Sequence, residues 1–315
     1  MRAVLAAVLL LAGVAHAQYP ERPLQLIVPW GAGGSTDATA RLIGALLEKE
    51  LKQAISVVNH TGGSGVRGHQ AIAAAAADGY TLGMITVEIT MMHHAGLTRL
   101  KHTDYAPIGL VSADAAGIHV RADSPHTSVA QLLAQIKAHP GKLRASGTDQ
   151  GGIWHLAMAG LLHQQGIDPA SLTWLPSNGA VPGLQHLLAG EVDLVPCSIP
   201  EARSMIESGK VRTLAIMDAA PPMQYRGLPT LKSELDSAWQ VAAWRVLAAP
   251  RGIPAHAQRT LVDALRKVTD SREYLEFMAS RGLAPVWAGP EDTVKLMAAS
   301  DANLGAALKA IGLGR

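Results

Sequence analysis

The chain has a single cysteine, Cys197, so no intrachain disulfide can form, even in a compartment that would permit one. Phe277 is its only phenylalanine, against six tryptophans, so the core must be built mainly from Leu, Ile, Val, Ala and Met. Charge is sparse and balanced: 27 Lys and Arg stand against 25 Asp and Glu, a net +2 with neutral histidines. That leaves no basic field for nucleic acid. No H-E-x-x-H, C-x-x-C or G-x-S-x-G occurs, which removes the common zinc and α/β-hydrolase signatures. A convergent catalytic triad stays open, because the order of its residues is free. Apolar runs long enough to anchor the chain across a bilayer are also missing.

What is present at the amino terminus is an export signal. Arg2 precedes an apolar run from Ala3 to Val14, and Ala15-His16-Ala17 is a small-x-small tripeptide. This pattern is a secretory signal peptide with cleavage after Ala17. No cysteine follows it, which argues against a lipid anchor, and no tandem arginine precedes it. The chain is therefore expected to cross unfolded, with no cofactor loaded.

After the leader, 48% hydrophobic and 17% charged residues indicate a globular chain of one large or two ordinary domains. Leu24–Val28, Ile55–Val58 and Tyr80–Thr86 read as buried strands. Helical spacing runs over Ala38–Leu51 and Gln70–Ala77 between them. This βαβαβ order predicts a mainly parallel sheet. A second unit starts with a strand at Gly117–Val120. Helices follow at Ser128–Ala138, Ile153–Gln165, Val181–Ala189 and Glu201–Ser208, with short strands between them, ending at Val211–Ile216. Ala242–Ala248 reads as a strand, and Pro254–Ser280 and Glu291–Ile311 as helices that return to the first unit. Two crossing segments, near Gly109–Gly117 and Val241–Ala248, make a hinged pair whose cleft lies beyond the strand ends.

Two glycine loops stand where strands turn into helices. Gly33, Gly34, Ser35, Thr36 and Asp37 form the first; Gly151, Gly152, Trp154 and His155 belong to the second. Free N–H groups and the helix dipole favour an anion at each such end, although an ordinary capped helix has the same appearance. Asn178 and Ser198 each precede a further helix. Arg245 lies in an otherwise apolar strand and needs an anionic partner: Glu88, a structural salt bridge, or a ligand carboxylate. Glu88 ends a strand; facing the cleft unpaired, it suggests a ligand amine. Trp30, Trp154 and Trp244 either line the cavity or fill the core. Gly63-Ser64-Gly65-Val66-Arg67-Gly68 matches the dinucleotide fingerprint, with Glu88 following at the right distance. The strand before it is not the first of its unit, and export argues against a nicotinamide coenzyme. Among thirteen histidines, the adjacent His93 and His94 are expected to diverge, and no metal site is expected.

The residues Tyr19–Trp30 and Gly33–Asp37 resemble the start of Bug-type receptors, the extracytoplasmic solute-binding proteins of tripartite tricarboxylate transporters. Asp78–Leu82, Pro140–Leu143, His155–Ala157, Gly190–Asp193, Gly209–Arg212 and Leu228–Thr230 continue the resemblance over the whole mature chain. It implies an α/β, two-domain periplasmic binding protein fold (type II-like, Venus flytrap). The implied division is a signal peptide at 1–17, domain 1 from 18–116 and 244–315, and domain 2 from 117–243. It implies a periplasmic monomer without catalysis or cofactor, which hands a small carboxylate to membrane permease subunits. The ligand loops carried over are Gly33–Asp37 and Gly151–His155. The chain departs from the family pattern at Gly152-Ile153-Trp154, at Thr86-Val87-Glu88 and at Trp244-Arg245. Those departures favour an aromatic or amine-bearing acid over a plain dicarboxylate. The alternatives are an exported enzyme acting on a small acid and an oxidoreductase using Gly63–Gly68.

Overall fold

The computed structural model describes residues 19–177, 179–219 and 225–314. The leader, its cleavage point and Asn178 lie outside the described residues. The first unit is β1 (Leu24–Val28), α1 (Ser35–Leu51), β2 (Ile55–Asn59), α2 (Val66–Ala73) and β3 (Thr81–Thr86). β2, β1 and β3 lie side by side and parallel. β1 buries every residue but Gln25, as a strand covered on both faces must. α1 closes one face by burying Ala40, Ile43, Leu46 and Leu47 at helical spacing.

β4 (Tyr105–Arg121) follows. The second unit holds α3 (Val129–Ala138), β5 (Arg144–Ala145), α4 (Ile153–Gln164), β6 (Thr173–Trp174), α5 (Ala180–Leu188), β7 (Leu194–Ser198), α6 (Ile199–Glu207), β8 (Val211–Ile216) and α7 (Leu231–Leu235). The chain then returns through β9 (Ala242–Pro250), α8 (Ala255–Asp270), α9 (Arg272–Arg281), β10 (Pro285–Ala288) and α10 (Pro290–Ala310).

The strand order is β2-β1-β3-β9-β4-β7-β5-β6, with β8 and β10 also paired to β4. The expectation of a mainly parallel sheet holds for β2-β1-β3 and for β5 with β6 and β7, and fails for every pairing of β4 and β9. β9 runs antiparallel to both β3 and β4, and β4 runs antiparallel to β7 and β8. A separate strand starting at Gly117 is also corrected. The crossing segment and that strand are one continuous 17-residue β4. Its first part pairs with β9, and its last residues pair with β7 and β8. The strand continues through Ser112-Ala113-Asp114, where Ser112 lies opposite Arg245. The long helix expected over Pro254–Ser280 is two helices. Ser271 divides them, its side chain accepting the N–H of Tyr274.

One apolar cluster joins α1, α8 and α9 to one face of the first sheet. A second continues from the other face into the second unit. α10 makes that continuity: it packs on β4 and on α4 of the other unit, contributing Met297, Leu304 and Leu308. Among the described residues no helix is long and apolar enough to cross a membrane.

Candidate ligand-binding site

α1 and α4 begin in the same way. Gly34 caps α1 with φ −71°, ψ 168°, and Gly152 caps α4 with φ −73°, ψ 169°; neither helix has a side-chain cap. Both ends open on one cavity of about 840 Å³ between the two units. Gly31, Gly34, Ser35 and Thr36 line one side of it, and Thr148, Gly151, Gly152 and Trp154 the other. The first N–H groups of a helix lack intrahelical acceptors, and the dipole adds partial positive charge there. Two such ends facing one space make a site for a small anion.

The loops are held open by residues behind them. Asp37 is buried and receives Gly33 N–H at 2.8 Å, Arg41 Nε at 3.0 Å and Asn59 Nδ2 at 2.8 Å. Burial pulls its pKa upward, but these hydrogen bonds and Arg41 outweigh burial and hold it below the ordinary value. Gly33, with φ +86°, makes the turn that brings its N–H to Asp37. In the second loop, His155 Nδ1 accepts Gly151 N–H at 2.8 Å, and the His155 N–H turns to Thr148 Oγ1 at 3.4 Å. Burial lowers the His155 pKa to about 4, so the imidazole is neutral and acts as an acceptor.

Arg245 forms part of the lining. Its partner is Asp114, not Glu88: Nη1 lies 2.6 Å from Asp114 Oδ2 and 3.1 Å from Ser112 Oγ. Nε reaches Thr36 Oγ1 at 3.2 Å, which ties the guanidinium to the start of α1. Nη2 makes no hydrogen bond within the described residues, so its two N–H groups remain for an occupant of the cavity. The structural salt bridge and the free donor are two sides of one group.

Glu88 and Glu201 also line the cavity. Glu88 sits on a 3-10 turn over Val87–Thr90, and its Oε2 is buried without a partner. Burial raises its pKa; Thr86 and the Arg245 charge oppose that rise. Glu201 accepts from Ser198 N–H at 3.1 Å and Ser198 Oγ at 2.8 Å. Burial raises its pKa as well. The three tryptophans line the cavity while their ring nitrogens or bodies stay anchored. Trp30 Nε1 donates to Thr86 Oγ1 at 3.0 Å and Trp244 Nε1 to Ser300 Oγ at 3.0 Å. Met91, Met92, Leu97, Leu308 and Leu313 supply an apolar side.

Of the residues anticipated from sequence, Gly34, Ser35, Thr36, Thr86, Glu88, Gly151, Gly152, Trp154 and Arg245 come together around the cavity. Gly33, Asp37, His155 and Ser198 stand outside the lining and hold those that are in it. Asn178 lies outside the described residues, but Ser177 and Gly179 on either side line the cavity. Sequence reasoning missed Glu201. The Ser198-x-x-Glu201 spacing signals a capping box, and nothing in it points to a cavity.

The dinucleotide-like loop has other work. Gly63 and Gly65 turn the chain with φ +59° and +89°. A Cβ on Gly68 would lie 2.4 Å from Pro29 Cα, so this glycine lets α2 approach the end of β1. Ser64 is its one residue in the lining. Cys197 is buried outside the lining, and burial pushes its thiol pKa well up, away from the nucleophilic thiolate.

A family model described as "Tripartite tricarboxylate transporter family receptor" matches residues 39–313. Protein BugT of Bordetella pertussis is 30% identical over 281 residues, covering 87% of this chain and 85% of that protein. A TctC solute binding protein from Polaromonas superposes with a TM-score of 0.82 at 30% identity, covering 92% of this chain and 99% of the other. Rpa4515 of R. palustris, whose structure is described as with adipate, gives 0.79 at 27% identity, covering 94% and 99%.

Proposed function

Because the chain belongs to the tripartite tricarboxylate transporter receptor family, we propose that it captures an amine-bearing or aromatic organic acid in the cleft between its two units and delivers it to membrane permease subunits. The observation that carries this reading is the pair of uncapped, glycine-led helix ends facing one cavity. The ligand carboxylate accepts from the N–H groups at these ends and from Arg245 Nη2. The free Oε2 of Glu88 takes the ammonium of an amino acid or a comparable donor. Trp30, Trp154 and Trp244 give the walls that hold the body of the ligand, excluding water around the charged contacts. A cavity of about 840 Å³ falls within the range of roughly 300–1,000 Å³ for small-molecule sites.

The domain division extends this reading. Domain 1 is 18–116 with 244–315, and domain 2 is 117–243, with β4 and β9 as the two crossing strands. Rotation about them closes the cleft and joins surfaces of both domains into one face for the permease. The chain acts after export and cleavage following Ala17, as a monomer that turns nothing over.

Calorimetry against linear dicarboxylates, aromatic acids and amino acids tests the proposal, with mass spectrometry of the ligand carried through purification. Saturable binding of one or a few acids is expected. Absence of binding across the panel, with turnover of a substrate by folded protein, overturns the receptor reading.

A further inference from the structure

Three imidazoles meet one carboxylate on α10, next in sequence to the Ser300 that holds Trp244. Asp301 of α10 takes His94 Nε2 at 2.9 Å on Oδ1. Its Oδ2 takes His102 Nδ1 at 3.0 Å and His93 Nε2 at 3.3 Å. The sequence expectation that His93 and His94 diverge is corrected here. They lie in an irregular turn, not a helix or strand, so both Nε2 atoms reach the same aspartate, with ring centroids 4.0 Å apart. The four side chains are largely enclosed, at 12%, 27%, 14% and 18% exposure for His93, His94, His102 and Asp301. Ligand atoms of His93, His94 and Asp301 all lie within 4.8 Å of one another.

From this geometry we infer that His93, His94 and Asp301 form a structural site for a divalent transition ion, with zinc the best match and His102 holding the aspartate from outside it. Two imidazole nitrogens and one carboxylate oxygen, with water in the fourth position, are a donor set for zinc and its neighbours, not for magnesium or calcium. Zinc in structural sites is tetrahedral with bonds of about 2.0–2.2 Å to nitrogen and oxygen, so ligand atoms sit roughly 3.3 Å apart. His94 Nε2 and His93 Nε2 lie 2.9 and 3.3 Å from Oδ1 and Oδ2 of Asp301, close to that edge. Gly305, one turn beyond Asp301, leaves the room: a Cβ there would lie 2.5 Å from His94 Nε2.

The placement gives the ion a structural job. His93 and His94 follow the turn that carries Glu88, and His102 opens the 3-10 turn at His102–Asp104 before β4. Asp301 follows Ser300, which holds Trp244, and Leu308 further along α10 lines the cavity. The ion fastens α10, which packs on α4 of the other unit, to the segment bearing the acidic part of the cleft.

The test is zinc binding to the full exported chain, free of any affinity tag and stripped with a chelator. Equilibrium dialysis with metal analysis is expected to give one zinc per chain at micromolar Kd or tighter. Melting temperature should rise with zinc concentration. The X-ray absorption spectrum should show four nitrogen or oxygen neighbours at about 2.0–2.2 Å. His102→Gln and Asp301→Asn should each weaken binding more than 10-fold, since outer-shell changes alone cost about 10–100-fold. His163→Gln, at an exposed position of α4, should leave it unchanged. If circular dichroism finds Asp301→Asn unfolded, His102→Gln and His93→Gln decide the matter. Substoichiometric uptake by folded wild type, or a Kd that His102→Gln leaves unchanged, overturns the inference.

Discussion

Replacing Arg245 separates its two jobs, and the structure fixes how. In Arg245→Met, Asp114 keeps only the Ala284 N–H at 2.9 Å and loses the guanidinium at 2.6 Å. The Asp114 side chain is 1% exposed, so its charge is left in a low-dielectric site. Breaking one side of a buried pair costs about 3–5 kcal/mol. That loss alone could weaken binding by unfolding the chain, so the single variant is ambiguous. Arg245→Met combined with Asp114→Asn removes the stranded charge and should recover most of the stability. What remains missing is the free Nη2 donor toward the cavity. A hydrogen bond to a charged group contributes about 1.5–3 kcal/mol, which is about 10- to 100-fold in affinity. Urea unfolding measures the first term, and calorimetry with the tightest acid of the panel measures the second. A double variant that folds and binds that acid as tightly as wild type refutes the role assigned to Arg245.

Three further outcomes are expected. Glu88→Gln should weaken amine-bearing acids about 10-fold or more, while plain dicarboxylates bind as well or better. Wild-type affinity for the amine-bearing class should climb as pH rises through the elevated Glu88 pKa, and calorimetry of the variant should find that dependence gone. Acid should destabilise the fold through His69 and His119, both fully buried, whose pKa values are lowered by burial to about 4. The unfolded chain takes up these protons near pH 6.5 and the native chain only near 4, so stability is full above about 6.5 and falls below it. Between pH 7 and 5 the two together should remove about 4 kcal/mol, partly offset by relief at Glu88 and Glu201. Urea midpoints that do not move over that interval contradict the burial argument. Gly160→Ala drives a Cβ to 2.1 Å from the Trp239 ring and should cost about 1–3 kcal/mol by overpacking. Gly34→Ala, whose Cβ meets only Gly31 O at 3.6 Å, should be near neutral in the same denaturation assay.

Much of the architecture was legible because local signals and burial agree. Leu24–Val28 is apolar throughout and becomes a strand covered on both sides. The strand at Val211–Ile216 has the limits its pattern suggests. What sequence hid was long-range pairing. Nothing local ties Asp114 to Arg245, which lies 131 positions away and neutralises it inside a sheet. The same distance blinded the reading to Asp301, which gathers His94 from 207 positions off. In the cleft, backbone signals were visible and side-chain duties were not. The glycine loops announce themselves by composition. That Asp37 and His155 would turn inward to brace those loops depends on Arg41, Asn59 and the Gly151 N–H closing around them.

The most direct measurement is a crystal structure of the chain with its tightest acid bound. The account predicts carboxylate oxygens at about 2.7–3.1 Å from N–H groups at the start of α1 and of α4, with Arg245 Nη2 on the same ligand. An acid lodged against Met91 and Leu97 with both helix ends facing only water would contradict it.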